Sequence, residues 1–141
     1  MSSNFICKAK LIDKNEWVYG YYVFQKKCTS VHGQQISELD RDKHIIVDFK
    51  GNSHEVIFET VSRCVGLKDI NNKYIFENDI IKHFNECPVK ELSEDIGKVF
   101  YYQSKCRFLR TSKVFPDDCP ELHADLNYEI VGNAFDDLDM L

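Results

Sequence analysis

"GLKDINNKYIFENDIIK", Gly66 to Lys82, strings two Asn-centred turns between short apolar runs. Asn71-Asn72 falls between "LKDI" and "KYIF", and asparagine tolerates positive φ better than any other non-glycine residue, so the spacing predicts a tight hairpin turn. A second tight turn follows at Glu77-Asn78-Asp79. After it, "IIKHF" reads as a strand with Ile80, Lys82 and Phe84 on one face and Ile81 and His83 on the other. The stretch specifies much local geometry but contains no nucleophile, metal cluster or phosphate loop.

The segments around it have the same character. "EWVYGYYVFQ" (Glu16 to Gln25) is a run of aromatic and β-branched residues broken by Gly20, which reads as a strand with a bend or bulge at the glycine. "HIIVDF" and "EVIFETV" (Glu55 to Val61) flank Gly51-Asn52 and predict a hairpin. The polar stretch from Cys28 to Lys43 reads as a loop. "NECPVKELSED" reads as a loop or short helix, since Pro88 rules out a continuing central strand. "GKVFYYQSKCRFLR" (Gly97 to Arg110) is two β-like runs about Gln103-Ser104. "FPDDCPELHADL" predicts a loop with one helical turn near Pro120, and "NYEIVGNAF" is the last strand. Short strands at close spacing with few helical periods predict a mainly β chain with little helix, a small barrel or sandwich.

At 141 residues the chain is one domain or two small lobes, and a chain of ~150 residues buries about 70% of its unfolded surface without a metal or disulfide staple. No signal-peptide run opens the sequence and no segment reaches the ~20 apolar residues of a membrane span. The expected location is therefore the cytoplasm, with no membrane partner. In that compartment the six cysteines (Cys7, Cys28, Cys64, Cys87, Cys106, Cys119) read as reduced thiols, most of them small buried apolar residues. Net charge is −5, but from Ile96 to Pro116 there are five bases and no acid, and from Asp117 to Leu141 eight acids and no Lys or Arg. The two blocks either face each other as neighbouring strands or one of them meets a partner.

"EWVYGYYV", "ETVSRCVGLKDINNKYIFENDII" and "YEIVGNAFDDLDML" resemble, in order and spacing, the YopX-like proteins of phages and prophages. That family's pattern has a Trp-Val-Tyr-Gly-Tyr run, a Thr-Gly-Leu-Lys-Asp block followed by an Asn-Gly turn and a Glu-Gly-Asp-Ile-Val strand start, and a closing Ile-Gly-Asn. Where the family has glycine in the two turns, this chain has Asn72 and Asn78, the replacement that keeps positive φ accessible at least cost. Arg63, Cys64 and Val65 stand where the family shows Gln, Tyr and Thr. The resemblance implies a mostly β protein with an SH3-like barrel, here formed from Thr60 to Leu141 after an N-terminal β-rich portion of residues 1–59. It also implies a phage or prophage origin, and with it the host bacterial cytoplasm, with no established molecular function.

The search for chemistry is mostly negative. There is no Gly-rich phosphate loop, Gly-x-Ser-x-Gly elbow or His-Glu-x-x-His helix, and Asp117-Asp118 and Asp136-Asp137 are adjacent pairs that point to opposite faces if extended. The chain reads as a non-enzyme with no cofactor and no small-molecule substrate. His83 with Cys87 and Cys119 with His123 have spacings that zinc accepts, but neither pair is a Cys-x-x-Cys knuckle and no metal is expected. Lys98, Lys105, Arg107, Arg110 and Lys113, interleaved with Tyr101 and Tyr102, form a basic aromatic hairpin suited to nucleic acid. The favoured expectation is a protein partner or homo-oligomer, met through Tyr19, Tyr21 and Tyr22 on an exposed aromatic face, with Trp17 buried. Asn71, Asn72, Asn78 and Asp79 are assigned to turns.

Overall fold

The computed structural model describes residues 5–26, 30–31, 34–35, 41–84, 94–124 and 127–141. Its strands are β1 (Cys7–Lys10), β2 (Trp17–Gln25), β3 (Ser30–Val31), β4 (Gln34–Gln35), β5 (Lys43–Val47), β6 (Ser53–Glu55), β7 (Ser62–Lys68), β8 (Tyr74–Phe76), β9 (Asp79–Phe84), β10 (Glu94–Tyr102), β11 (Arg107–Arg110) and β12 (Tyr128–Asn133). Helical geometry among the described residues is confined to short 3-10 turns such as Phe58–Thr60, Gln103–Lys105 and Leu138–Met140. The protein is mainly β, with antiparallel pairing throughout, and no closed barrel is found among the described residues. The segment around Pro88 and residues Cys28 and Cys87 lie outside them.

The chain divides into two compact units, the first running to Arg63 and the second from Cys64 to Leu141. In the first, the strands lie in the order β6-β5-β2-β1. Leu11, just past β1, bridges Val56, just past β6, and Ile12 N and Ile57 N donate to Glu55 O and Lys10 O. Cys7, Ala9, Ile46 and Val56 form the core beneath this sheet. The expected strand over Glu55 to Val61 ends at Glu55 instead. Thr60 explains the change: its hydroxyl donates to Ile57 O at 2.7 Å and accepts from Lys10 N at 2.9 Å, which locks a 3-10 turn where a ladder was expected.

Gly20 is also not the bulge it suggests. The β1–β2 register runs unbroken from Lys10↔Trp17 to Cys7↔Gly20, and a Cβ on Gly20 would sit 2.0 Å from Val47 O. Close approach of backbones, not a bend, requires glycine there.

The second unit has β11-β10-β9-β12 as a sheet and β7-β8 as a hairpin. The long strand β10 pairs with β9 through Glu94 to Lys98 and with β11 through Val99 to Tyr102. Its inward residues alternate, Asp95, Gly97 and Val99 being buried, as a half-buried strand requires. Ile75, Ile81, Val99 and Tyr128 make the core, with Val65, Leu67, Phe108, Leu122 and Ile130 against it. On β9 both Ile80 and Ile81 are fully buried, so its two faces are less unlike than alternation alone implies. The helical turn expected near Pro120 is extended chain, with Arg110 N donating to Pro120 O and Glu121 bridging Leu109.

At Gly97 a Cβ would lie 1.7 Å from Thr111 O, and the main chains are held there by Thr111 N to Lys98 O and Lys98 N to Thr111 Oγ1. Gly97→Ala is expected to destabilise by about 3 kcal/mol, since backbone cannot yield as a side chain can. Asn72→Gly is expected to stay within about 0.5 kcal/mol of the wild type, because φ there is already positive. Urea unfolding midpoints at constant m check both.

Candidate functional site

Carboxylates organise the turns of both units. In the opening stretch, Asn72 and Asn78 have φ of 64° and 69°, the left-handed geometry for which asparagine substitutes for glycine. The centre of the first turn is Asp69, a residue the sequence does not single out. Its Oδ1 accepts from Asn71 N and Lys73 N at 2.9 Å, and its Oδ2 from Ile130 N at 3.2 Å on β12. Burial pushes this carboxyl up, but the bonds from Lys73, Ile130 and Asn71 outweigh it and hold it below the ordinary value. In the second turn Asp79 accepts from Phe76 N at 2.8 Å. Asn78 N donates to Val99 O and its carbonyl accepts from Ala134 N, so this turn ties β10 to the chain after β12. In the first unit Asp48 binds Lys50 N, Asn52 N and the His54 ring. The His54 bond, then that from Asn52, lowers its pKa to about 2.

The basic hairpin is not one basic face. Arg110 is 5% exposed, with its Nη1 2.6 Å from Oδ2 of Asp95, itself 1% exposed. Ser112 Oγ, Lys113 N and Val114 N also donate to Asp95, at 2.6, 2.9 and 3.1 Å. Burial raises the Asp95 pKa, but the donors led by Arg110 and Ser112 more than offset this and hold it below the usual carboxylate range. Arg107 is exposed and ion-paired with Glu121, so the basic and acidic blocks meet here through one pair. The register explains the inward turn of Arg110, which stands opposite Val99 on β10. Lys98 is half-buried and Lys105 and Lys113 are exposed. Tyr101 packs edge-on against Phe108 at 5.2 Å, while Tyr102 is exposed.

Asp95 and Arg110 lie at the floor of a cleft of about 420 Å³ with the buried His83, whose Nδ1 is 3.2 Å from Asn127 O. Exposed Phe115, Asp118 and His123 and half-buried Glu121 line its mouth. His83 is therefore a wall of this cleft, its ring 5.4 Å from that of Tyr128. Cys87, whose spacing from His83 zinc would accept, lies outside the described residues. Cys119 and His123 are both exposed, and among the described residues no three His, Cys, Asp or Glu side chains come together as a metal-holding group. Of the described cysteines, Cys7 and Cys64 are buried, as expected of such small residues. Cys106 and Cys119 are exposed. Cys106 is exposed because it takes the left-handed position (φ 52°) that closes the Gln103–Lys105 turn.

The N-terminal tyrosines do not form one face. Tyr19, Tyr21 and Val23 share a side of β2, and Phe49 meets the Tyr21 ring edge-on at 5.9 Å. Tyr22 points the other way, onto the core, where its hydroxyl is 2.6 Å from His44 Nδ1. Trp17 is half-buried rather than buried, with the Lys8 and Lys10 ammonium groups 4.7 and 5.6 Å from its ring centre, within cation–π range.

These features define a mainly β protein whose turns are held by carboxylates and whose most elaborate polar constellation is a buried ion pair under a cleft. The chain belongs to the YopX protein family, whose profile matches residues 12–141. No curated protein matches it. Among the described residues no helix is long and apolar enough to cross a membrane.

Asp95→Asn, which leaves a buried guanidinium uncompensated, is expected to cost about 3 kcal/mol. Asp48, Asp69 and Asp95 all have folded pKa values below those of the unfolded chain. Their contribution is therefore complete above the unfolded value of about 3.9 and lost as pH falls through the folded values. Stability attributable to them is expected to be flat from about pH 5 upward and to fall steeply below about pH 4, as followed by denaturant unfolding across that range.

Proposed function

We propose that this protein is a cytoplasmic, non-enzymatic phage or prophage accessory module that binds a protein partner or a second copy of itself. The observation that carries the reading is the outer side of β2: Phe49 is 58% exposed, Tyr19 45% and Val23 43%, an aromatic and aliphatic set of the kind that anchors interfaces. The phage setting rests on family membership. The same resemblance supports reading Cys64–Leu141 as a variant of the SH3-like barrel, with β10 serving two neighbours through its two halves.

Nucleic-acid binding through Lys98 to Lys113 ranks behind it. Arg110 is committed to Asp95 and Arg107 to Glu121, which reduces the hairpin's phosphate-facing charge to three lysines and sets acids beside them.

Sedimentation velocity over a range of concentrations tests the reading. Reversible association that persists at high salt is expected, and Val23→Glu or Phe49→Glu is expected to weaken it at least about tenfold. A chain that stays monomeric at every concentration, but retains DNA or RNA at low salt and releases it steeply as salt rises, would favour the hairpin instead.

A further inference from the structure

The sheet of the first unit is apolar on both sides. Its core side carries Ala9, Tyr22 and Ile46. On the other side Tyr19, Tyr21 and Val23 of β2 lie beside Ile45 and Val47 of β5, with Phe49 edge-on against Tyr21. An antiparallel sheet with one face in water alternates apolar with polar residues, whereas strands covered on both faces read as near-continuous apolar runs such as Ile45-Ile46-Val47. At about 200 Å² for a whole aromatic side chain, the exposed parts of Phe49 and Tyr19 alone come to about 200 Å². With Val23 and the half-buried residues between them the face offers roughly 450 Å², so two such faces bury roughly 900 Å², the size of a weak and reversible interface.

The relief of the face says what fits it. Its β2 row is large, with Trp17, Tyr19 and Tyr21, and its β5 row is small, with Ile45 and Val47. In the β2–β5 register Tyr21 stands beside Val47 and Val23 beside Ile45. A two-fold axis parallel to the strands, between β2 and β5, keeps each residue at its own level and exchanges the two rows. The aromatic row of one copy then lies over the aliphatic row of the other, Tyr21 over Val47 in both directions, the large-against-small matching that lets packed sheets interdigitate. The centre of the face is uncharged, while Lys10 on β1 and the Arg41–Glu55 pair at β6 lie at its margins, the anatomy of an apolar interface with a polar rim. An extended peptide adding itself as an edge strand would instead meet Leu11 and Ile12, which already occupy the end of β6. Given the docking role of this face, on which the assignment rests, we propose that a second copy of the chain covers it, packed sheet on sheet about that two-fold axis.

The test mixes carbon-13-labelled with unlabelled full-length chain at about 1 mM and records contacts between copies alone by isotope-filtered NOE spectroscopy. Contacts from the Tyr21 ring of one copy to the Val47 methyls of the other are expected, with a dissociation constant of about 10 to 500 µM. Tyr21→Lys or Val47→Glu alone places an uncompensated charge at both symmetry-related contacts and is expected to weaken association at least about tenfold. Mixed in equal amounts, the two variants can form a dimer in which one contact is an opposite-charge pair and the other is native. That mixture is expected to associate at least about threefold more tightly than either variant alone. Urea midpoints show whether the variants fold, and the filtered spectra of the unmodified chain decide the matter if they do not. A chain that stays monomeric at about 1 mM would overturn the second copy and leave the face to a different protein. Association whose contacts avoid Tyr21 and Val47 would overturn the docking role of the face as well. A mixture no tighter than its separate variants would overturn the two-fold arrangement.

Discussion

Asp95, only 1% exposed, accepts four hydrogen bonds, and the second unit is arranged around that fact. One carboxylate joins β10 to β11 through Arg110 and fixes the chain beyond β11 through Ser112, Lys113 and Val114. An ionised carboxylate has about four acceptor positions and no donor, so it matches a cluster of orphaned N–H groups in a way no neutral side chain does. Burying it is costly alone, and the pairing with Arg110 is what makes the charge tolerable.

The same device recurs wherever the backbone leaves its ladders. Asp48, Asp69, Asp79 and Asp137 each accept from at least one turn amide. In a helical protein most amides are satisfied within their own element, but short strands joined by many turns leave donors at every corner. Asp69 also caps Ile130 N beside β12, satisfying a donor at a sheet edge that would otherwise invite another strand.

Local geometry was legible in the sequence where one residue's backbone preference decides it. Asn72 and Asn78 announced positive φ, and both have it; the hairpin about Gly51-Asn52 and the strand after Asn78 formed as read. What was not legible depends on residues far apart in the chain. Arg110 counted as part of a basic patch because nothing local says which way it faces, and only its register opposite Val99 turns it inward onto Asp95, fifteen residues earlier. A signal was present in the alternation of Asp95, Gly97 and Val99, which marks Asp95 as inward-facing and in need of a donor. Glu121 was read as part of an acidic block, and its pairing with Arg107 required knowing that Pro120 runs extended along β11. The cleft over His83 could not be foreseen, since its walls come from β9, β10, β11 and the chain after Phe115.

The account stands on these carboxylates being ionised and donor-saturated in the folded chain. Carbon-13 NMR titration of the aspartate carboxyls measures that directly. Asp48 should titrate at about 2, and Asp69 and Asp95 below the ordinary aspartate value of about 3.9, each loss of charge accompanied by faster exchange of the amides bound to it. An Asp95 that titrates at or above the ordinary value, with the Lys113 and Val114 amides unaffected, would contradict it.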